Sequence, residues 1–160
     1  MTQVAVFMGS KSNKGMIRPC VEVLEKLGIS HVFTVTSAHR TPERTSRLVR
    51  ELEKDGVQVF ICAAGLAAHL AGAVAAQTIR PVLGIPVTAS SLSGLDALLA
   101  TVQMPPGFPV GTLALDKVGA RNAAWLAAQI LALNDPDLAR RIDAERAAMR
   151  AQVETDAASL

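Results

Sequence analysis

Residue types able to do chemistry gather in three short stretches. In Ser37-Ala38-His39-Arg40-Thr41-Pro42 an imidazole stands beside a guanidinium. The first can take and give a proton near neutral pH, and the second is a fixed cation suited to phosphate or carboxylate. Together they point to proton transfer on an anionic substrate. Gly9-Ser10-Lys11-Ser12-Asn13 offers backbone N–H groups, two hydroxyls and a helix start, the makings of an anion cradle. It is neither a Walker loop nor a GxGxxG fingerprint, so nucleoside triphosphate hydrolysis and dinucleotide chemistry are not indicated. Ser and Asn also begin ordinary helices. The third stretch, Ala64-Gly65-Leu66-Ala67-Ala68-His69-Leu70, sets a second histidine in a small-residue turn, facing a pocket or tied to a carbonyl. Taken singly, His39 also reads as a surface histidine and Arg40 as a partner for Glu43; the coincidence of three such sites favours chemistry. His31 opens a strand at the opposite edge and is assigned none.

These stretches need elements to hold them. Strand-like runs at Val4-Met8, His31-Thr36, Gln58-Cys62, Pro81-Ile85 and Val110-Leu113 alternate with helical segments. Several are nearly continuously apolar, the pattern of parallel strands covered on both faces. Met16, Cys20, Val23, Leu24 and Leu27 recur at helical spacing before Gly28, although Pro19 requires that helix to start late or bend. Thr41 and Pro42 start a second helix, with Glu43 at its positive end and Leu48, Val49 and Leu52 as its buried stripe. Further helices are expected over 66–78, 95–102 and 119–133. Asp135-Pro136 opens a last one over 136–153, whose narrow stripe of Leu138, Ile142, Met149 and Val153 suits packing on a neighbouring subunit or on its own domain. The fold class is α/β: a three-layer, flavodoxin-like, doubly wound parallel five-stranded sheet with an extra C-terminal helix, in one domain over residues 1–160. Ligands of such sheets bind beyond the carboxyl ends of the strands, where all three stretches fall.

Composition removes several classes. A chain of 160 residues buries about 70% of its unfolded surface, so it needs no staples. Cys20 and Cys62 lie in apolar patterns without metal or redox spacing and read as buried thiols of a reduced cytoplasmic protein. A net charge of +2, interspersed in sign, with four Phe, one Trp and no Tyr, argues against nucleic acid. The uncharged run over 59–76 has the length to span a bilayer, but Gly65, His69 and Gly72 interrupt it, and a buried strand followed by a small-residue helix explains it. No membrane association and no targeting segment are expected.

The blocks MGSKSN at 8–13, SAHRTP at 37–42, AGLAAHLAG at 64–72, PVLGIPV at 81–87 and LSGLDALLATVQMPPGFPVGT at 92–112 closely resemble the bacterial and archaeal N5-carboxyaminoimidazole ribonucleotide mutases, also described as phosphoribosylaminoimidazole carboxylase catalytic subunits. The likeness runs through nearly the whole chain. It implies an enzyme of purine biosynthesis that moves a carboxylate from the exocyclic nitrogen of an aminoimidazole ribonucleotide to ring carbon 4, without metal or other cofactor. It also implies a homo-octamer with active sites at subunit contacts. By matching positions, His39 is the general acid/base, Ser10, Ser12 and Arg40 hold the phosphate, and Asn13 faces the ribose. Ser37 and Ala38 line the site, and His69 with the turn of Ala64, Gly65, Ala67, Ala68 and Leu70 lines a pocket for carbon dioxide. The proline-stiffened loop at 104–109 is expected to help close it.

Three departures bear on the reaction. Asn13 stands where the family has aspartate, and Leu66 and Ala71 stand in a turn more often written AGGAAHLPG. The Leu66 form and the QMPPG loop resemble an archaeal-type branch, which keeps direct carboxylation by carbon dioxide as the alternative reaction. Arg40 speaks for the mutase class, since the direct carboxylases of animals tend to carry lysine there. A remoter alternative, a non-catalytic flavodoxin-like module, lacks aromatics to flank a flavin and an acidic pair after the first strand.

Overall fold

The computed structural model describes residues 1–159. Strands β1 (Val4–Met8), β2 (His31–Val35), β3 (Val59–Gly65), β4 (Val82–Val87) and β5 (Gly111–Thr112) form one parallel sheet in the order β2-β1-β3-β4-β5. Between and after them lie α1 (Lys14–Lys26), α2 (Pro42–Lys54), α3 (Leu70–Ala75), α4 (Leu95–Val102), α5 (Asp116–Ala132) and α6 (Pro136–Ala158). This is the flavodoxin-like order expected of the βαβ pattern.

Alternation along each strand sorts the core into two layers. Val4, Val6 and Met8, with Val59, Ile61, Leu83 and Ile85, meet Ile17, Cys20 and Leu24 of α1, the alanine face of α5, and Leu138 and Ile142 of α6. Ala5, Phe7, Phe60 and Cys62 meet Val49 of α2, Leu70 and Val74 of α3, and Val110. The rings of Phe7 and Phe60 pack at 5.8 Å between centroids. Each large aliphatic or aromatic group removed from water contributes roughly 1.5–3 kcal/mol. Both thiols are free and buried, and burial pushes Cys20 up to about 12 and raises Cys62 as well.

Several boundaries differ from expectation for physical reasons. Helix α1 runs unbroken through Pro19 after a 3-10 turn over Lys11–Asn13. Pro19 has no N–H to donate to the carbonyl one turn earlier, so α1 forgoes one backbone hydrogen bond there without ending. The third helix begins at Leu70 instead of 66, because Leu66 (φ 56°) and Ala68 (φ 42°) take left-handed backbone. Thr41 precedes α2, but its hydroxyl makes no cap bond there. Helix α5 starts earlier, at Asp116, while α6 continues past 153 to Ala158 with the Asp135 carboxylate accepting from the Leu138 N–H at 3.0 Å. The uncharged run at 59–76 folds as β3, a turn and α3; among the described residues no helix is long and apolar enough to cross a membrane.

Candidate active site

The hexapeptide after β2 is held by its own polar groups. The Ser37 N–H donates to Thr41 Oγ1 at 3.0 Å, and that hydroxyl donates back to the Ser37 carbonyl at 3.2 Å. The Arg40 N–H donates to Ser37 Oγ at 3.1 Å. Thr41 therefore closes the turn instead of capping the helix. Beneath it, buried Thr36 and Thr45 share a hydroxyl–hydroxyl bond of 2.8 Å, and Arg44 donates from Nε to the Val35 carbonyl at 3.2 Å. These ties fix α2 to the end of β2, so His39 and Arg40 project from a short, braced turn.

Two other strand ends supply the rest. After β1, Ser10 Oγ accepts from the Ser12 N–H at 3.3 Å and lies 2.9 Å from Ser12 Oγ, while Ser12 Oγ donates to Asn13 Oδ1 at 3.5 Å. Arg40 Nη2 donates to the Gly9 carbonyl at 2.9 Å, bringing the guanidinium onto the serine turn; it forms no ion pair with Glu43. After β3, the left-handed turn closes with the Ala68 N–H donating to the Gly65 carbonyl at 3.0 Å and turns His69 toward the hexapeptide. The imidazoles meet edge to face, with His39 Nε2 2.7 Å from His69 Nδ1. Of the two sequence readings of His69, the carbonyl-bound buried imidazole is not what forms: the ring is exposed and bonds to His39. Such a contact forms when one of the two facing nitrogens carries a proton and the other accepts it.

A pocket of about 530 Å³ opens over these turns, within the size range of small-molecule sites. Its wall takes in all the residues singled out from sequence: Ser10, Ser12, Asn13, Ser37, Ala38, His39, Arg40, Ala64, Gly65, Ala67, Ala68, His69 and Leu70. Among the described residues no carboxylate lines it, and Arg40 is a fixed positive charge in its wall, so it suits an anion. Gly9, Leu66 and Ala89 also line it. Gly9 belongs to the serine stretch, but Ala89 sits in the β4–α4 loop, where nothing in the sequence marks it. Gly65 explains its place: a Cβ there would lie 2.7 Å from Ala89 Cβ and 2.9 Å from the Val87 carbonyl oxygen, so glycine lets that loop lie across β3.

Within one chain the proline loop does not line this pocket. Gly107, Phe108 and Pro109 line a larger hollow of about 850 Å³ near Glu53 and Arg80, apart from the histidines, and only Met104 packs inward, against Gly72. That hollow contains no imidazole.

Residues 3–152 match the family model described as AIR carboxylase. The N5-carboxyaminoimidazole ribonucleotide mutase of Escherichia coli strain K12 is 49% identical over 151 residues, covering 94% of this chain and 89% of that one. The mutase of Saccharolobus solfataricus is 49% identical over 142 residues, with 89% of each covered. Among solved structures, Treponema denticola PurE superposes with a TM-score of 0.90 at 26% identity over 100% of this chain and 99% of that one. A family match over nearly the full length, backed by relatives this similar and by the same fold, leaves one conclusion: the chain belongs to the AIR carboxylase family.

Proposed function

We propose that the chain carries out the N5-carboxyaminoimidazole ribonucleotide mutase reaction of purine biosynthesis, giving 4-carboxy-5-aminoimidazole ribonucleotide. The observation that carries this reading is the imidazole pair at 2.7 Å beside a fixed cation, in a pocket without carboxylates. The chemistry needs one proton delivered and one removed. The carbamate N–C bond breaks as a proton reaches the exocyclic nitrogen, releasing carbon dioxide and the amine. Ring carbon 4 then bonds to the carbon dioxide, and the proton on that carbon leaves to restore the aromatic ring. His39 serves as acid in the first half and base in the second, so the cycle is proton-neutral. His69 keeps its partner's ring oriented and shares the proton at rest.

Ser10, Ser12 and Arg40 hold the phosphate and Asn13 faces the ribose diol, a reading supported by the hydrogen bonds that link Ser10, Ser12 and Asn13 and by the Arg40 bond to the adjoining Gly9 carbonyl. The small-residue turn over 64–70 receives carbon dioxide, and its apolar wall limits competing water. The reading assigns no metal or organic cofactor. We place the protein in the cytoplasm as a homo-octamer; assembly would cover Leu92, exposed just before α4, and Leu95, Leu99 and Val102, exposed along it.

The test supplies either the N5-carboxylated ribotide or the amine with bicarbonate and compares rates. Faster product from the first is expected; product from the amine alone would transfer the chain to the direct carboxylases. In His39→Asn, turnover should fall by about 10²–10⁴-fold while ribotide binding persists. Near-normal turnover in that variant would remove His39 from the chemistry.

A further inference from the structure

The β4–α4 loop, residues 88–94, supplies Ala89 to the pocket, yet it has almost no apolar anchorage: Thr88, Ala89, Ser91, Leu92 and Ser93 are all exposed. Among the described residues, one hydrogen bond ties it to a distant part of the chain. The Thr88 N–H donates to Asp116 Oδ1 at 2.8 Å. Asp116 opens α5 in the left-handed region, at φ 55°, a conformation that aspartate tolerates better than most residues but that still costs energy. The surrounding corner is forced. A Cβ on Gly119 would fall 1.6 Å from the Ala114 carbonyl oxygen, so the chain turns there only through glycine. The loop's far end reaches the same corner, since a Cβ on Gly94 would lie 2.8 Å from Leu115 Cδ2 and 2.9 Å from Thr88 Oγ1. Entry and exit of the loop thus both close on Leu115 and Asp116.

We propose that Asp116 is a positioning residue for the pocket: its carboxylate pins Thr88 so that Ala89 lies over Gly65 as the fourth wall. A strained residue with an acceptor aimed at a loop amide is what this role requires, whereas a residue serving only to start α5 needs neither the strain nor the contact. This inference rests on the pocket being the ribotide site. With the tether gone, the wall is no longer pre-formed, and substrate binding must order it; the chemical step on bound substrate is little affected.

Two variants separate the possibilities. Asp116→Gly relieves the backbone and deletes the acceptor, while Asp116→Asn keeps an amide oxygen and removes the charge. With the N5-carboxylated ribotide, Asp116→Gly should raise KM about tenfold, the upper scale of one ordinary hydrogen bond, with kcat within about twofold. Its Tm should not fall, and hydrogen exchange at the Thr88 amide should quicken. Asp116→Asn should restore KM and Thr88 protection to near wild type. Wild-type KM and protection in Asp116→Gly would overturn the proposal, as would an Asn variant as impaired as the Gly variant, which would assign the effect to charge. Failure of the underlying reading looks different: the wild type itself would turn over no ribotide, and the kinetic role would fall with it, whereas Thr88 exchange still decides the tether.

Discussion

Arg40 does two things with one planar group. One N–H holds the Gly9 carbonyl at 2.9 Å, which locks the guanidinium over the serine turn, and the remaining donors are left for an anion. Lysine keeps the charge but has no fixed fork with which to do both. Arg40→Ala is therefore expected to weaken ribotide binding by about 10–100-fold, the value of a hydrogen bond to a charged group, with Arg40→Lys intermediate. Calorimetric titration with the phosphorylated ribotide checks it; an unchanged Kd in the alanine variant would remove the phosphate from this place. Leu66 belongs at the same scale. Its φ of 56° suits glycine, so a leucine there adds backbone strain and side-chain bulk at the pocket's edge.

Between elements, glycine decides how closely layers approach. Gly84 lies in β4 beneath α4, where a Cβ would sit 2.3 Å from Thr101 Cγ2 and 2.9 Å from Val110 Cγ1. Neither neighbour is the loose end of a long side chain: Thr101 is buried, and its hydroxyl donates to the Ala97 carbonyl at 2.7 Å. Gly84→Ala must then push α4 off the sheet, at a cost of about 1–3 kcal/mol. Thermal unfolding followed by circular dichroism should show the lower Tm, and an unchanged Tm would mean that α4 slides without cost. Periodicity exposed this architecture well. Apolar runs with turn residues between them gave the five strands, and Leu95 to Val102 is a helix over the range expected. What stayed hidden depends on contacts between distant residues. Nothing local in AGLAA says that Leu66 and Ala68 will turn left-handed, and nothing in Thr41 says that its hydroxyl will prefer Ser37 to the helix it precedes. The pocket-lining stretches were legible because each follows an apolar strand and carries serine, histidine or arginine where the run ends. Ala89 and Asp116 were not, since their roles come only from which loop lies across which strand.

For the whole molecule, α6 divides into a part that the chain uses and a part that it does not. Leu138 is 0% and Ile142 5% exposed, each adding on the order of 2 kcal/mol to the core, and Arg141 Nε donates to the Leu27 carbonyl at 2.9 Å. Lys26 pairs with Glu145 just beyond them. Past that point the apolar stripe is uncovered, with Met149 at 50% and Val153 at 66%. A helix held at one end, with no partner for its second half among the described residues, is marginal in water by itself, so its second half gains most from another copy. With a net charge of only +2, repulsion between copies is weak. Deleting 137–160 would confuse assembly with folding, because it strips Leu138 and Ile142 from the core. Ending the chain after Arg146 keeps both residues and the Lys26–Glu145 pair. That truncated chain should retain its secondary structure by circular dichroism while light scattering shows a smaller assembly. An unchanged mass would show that the second half of α6 contributes nothing to assembly.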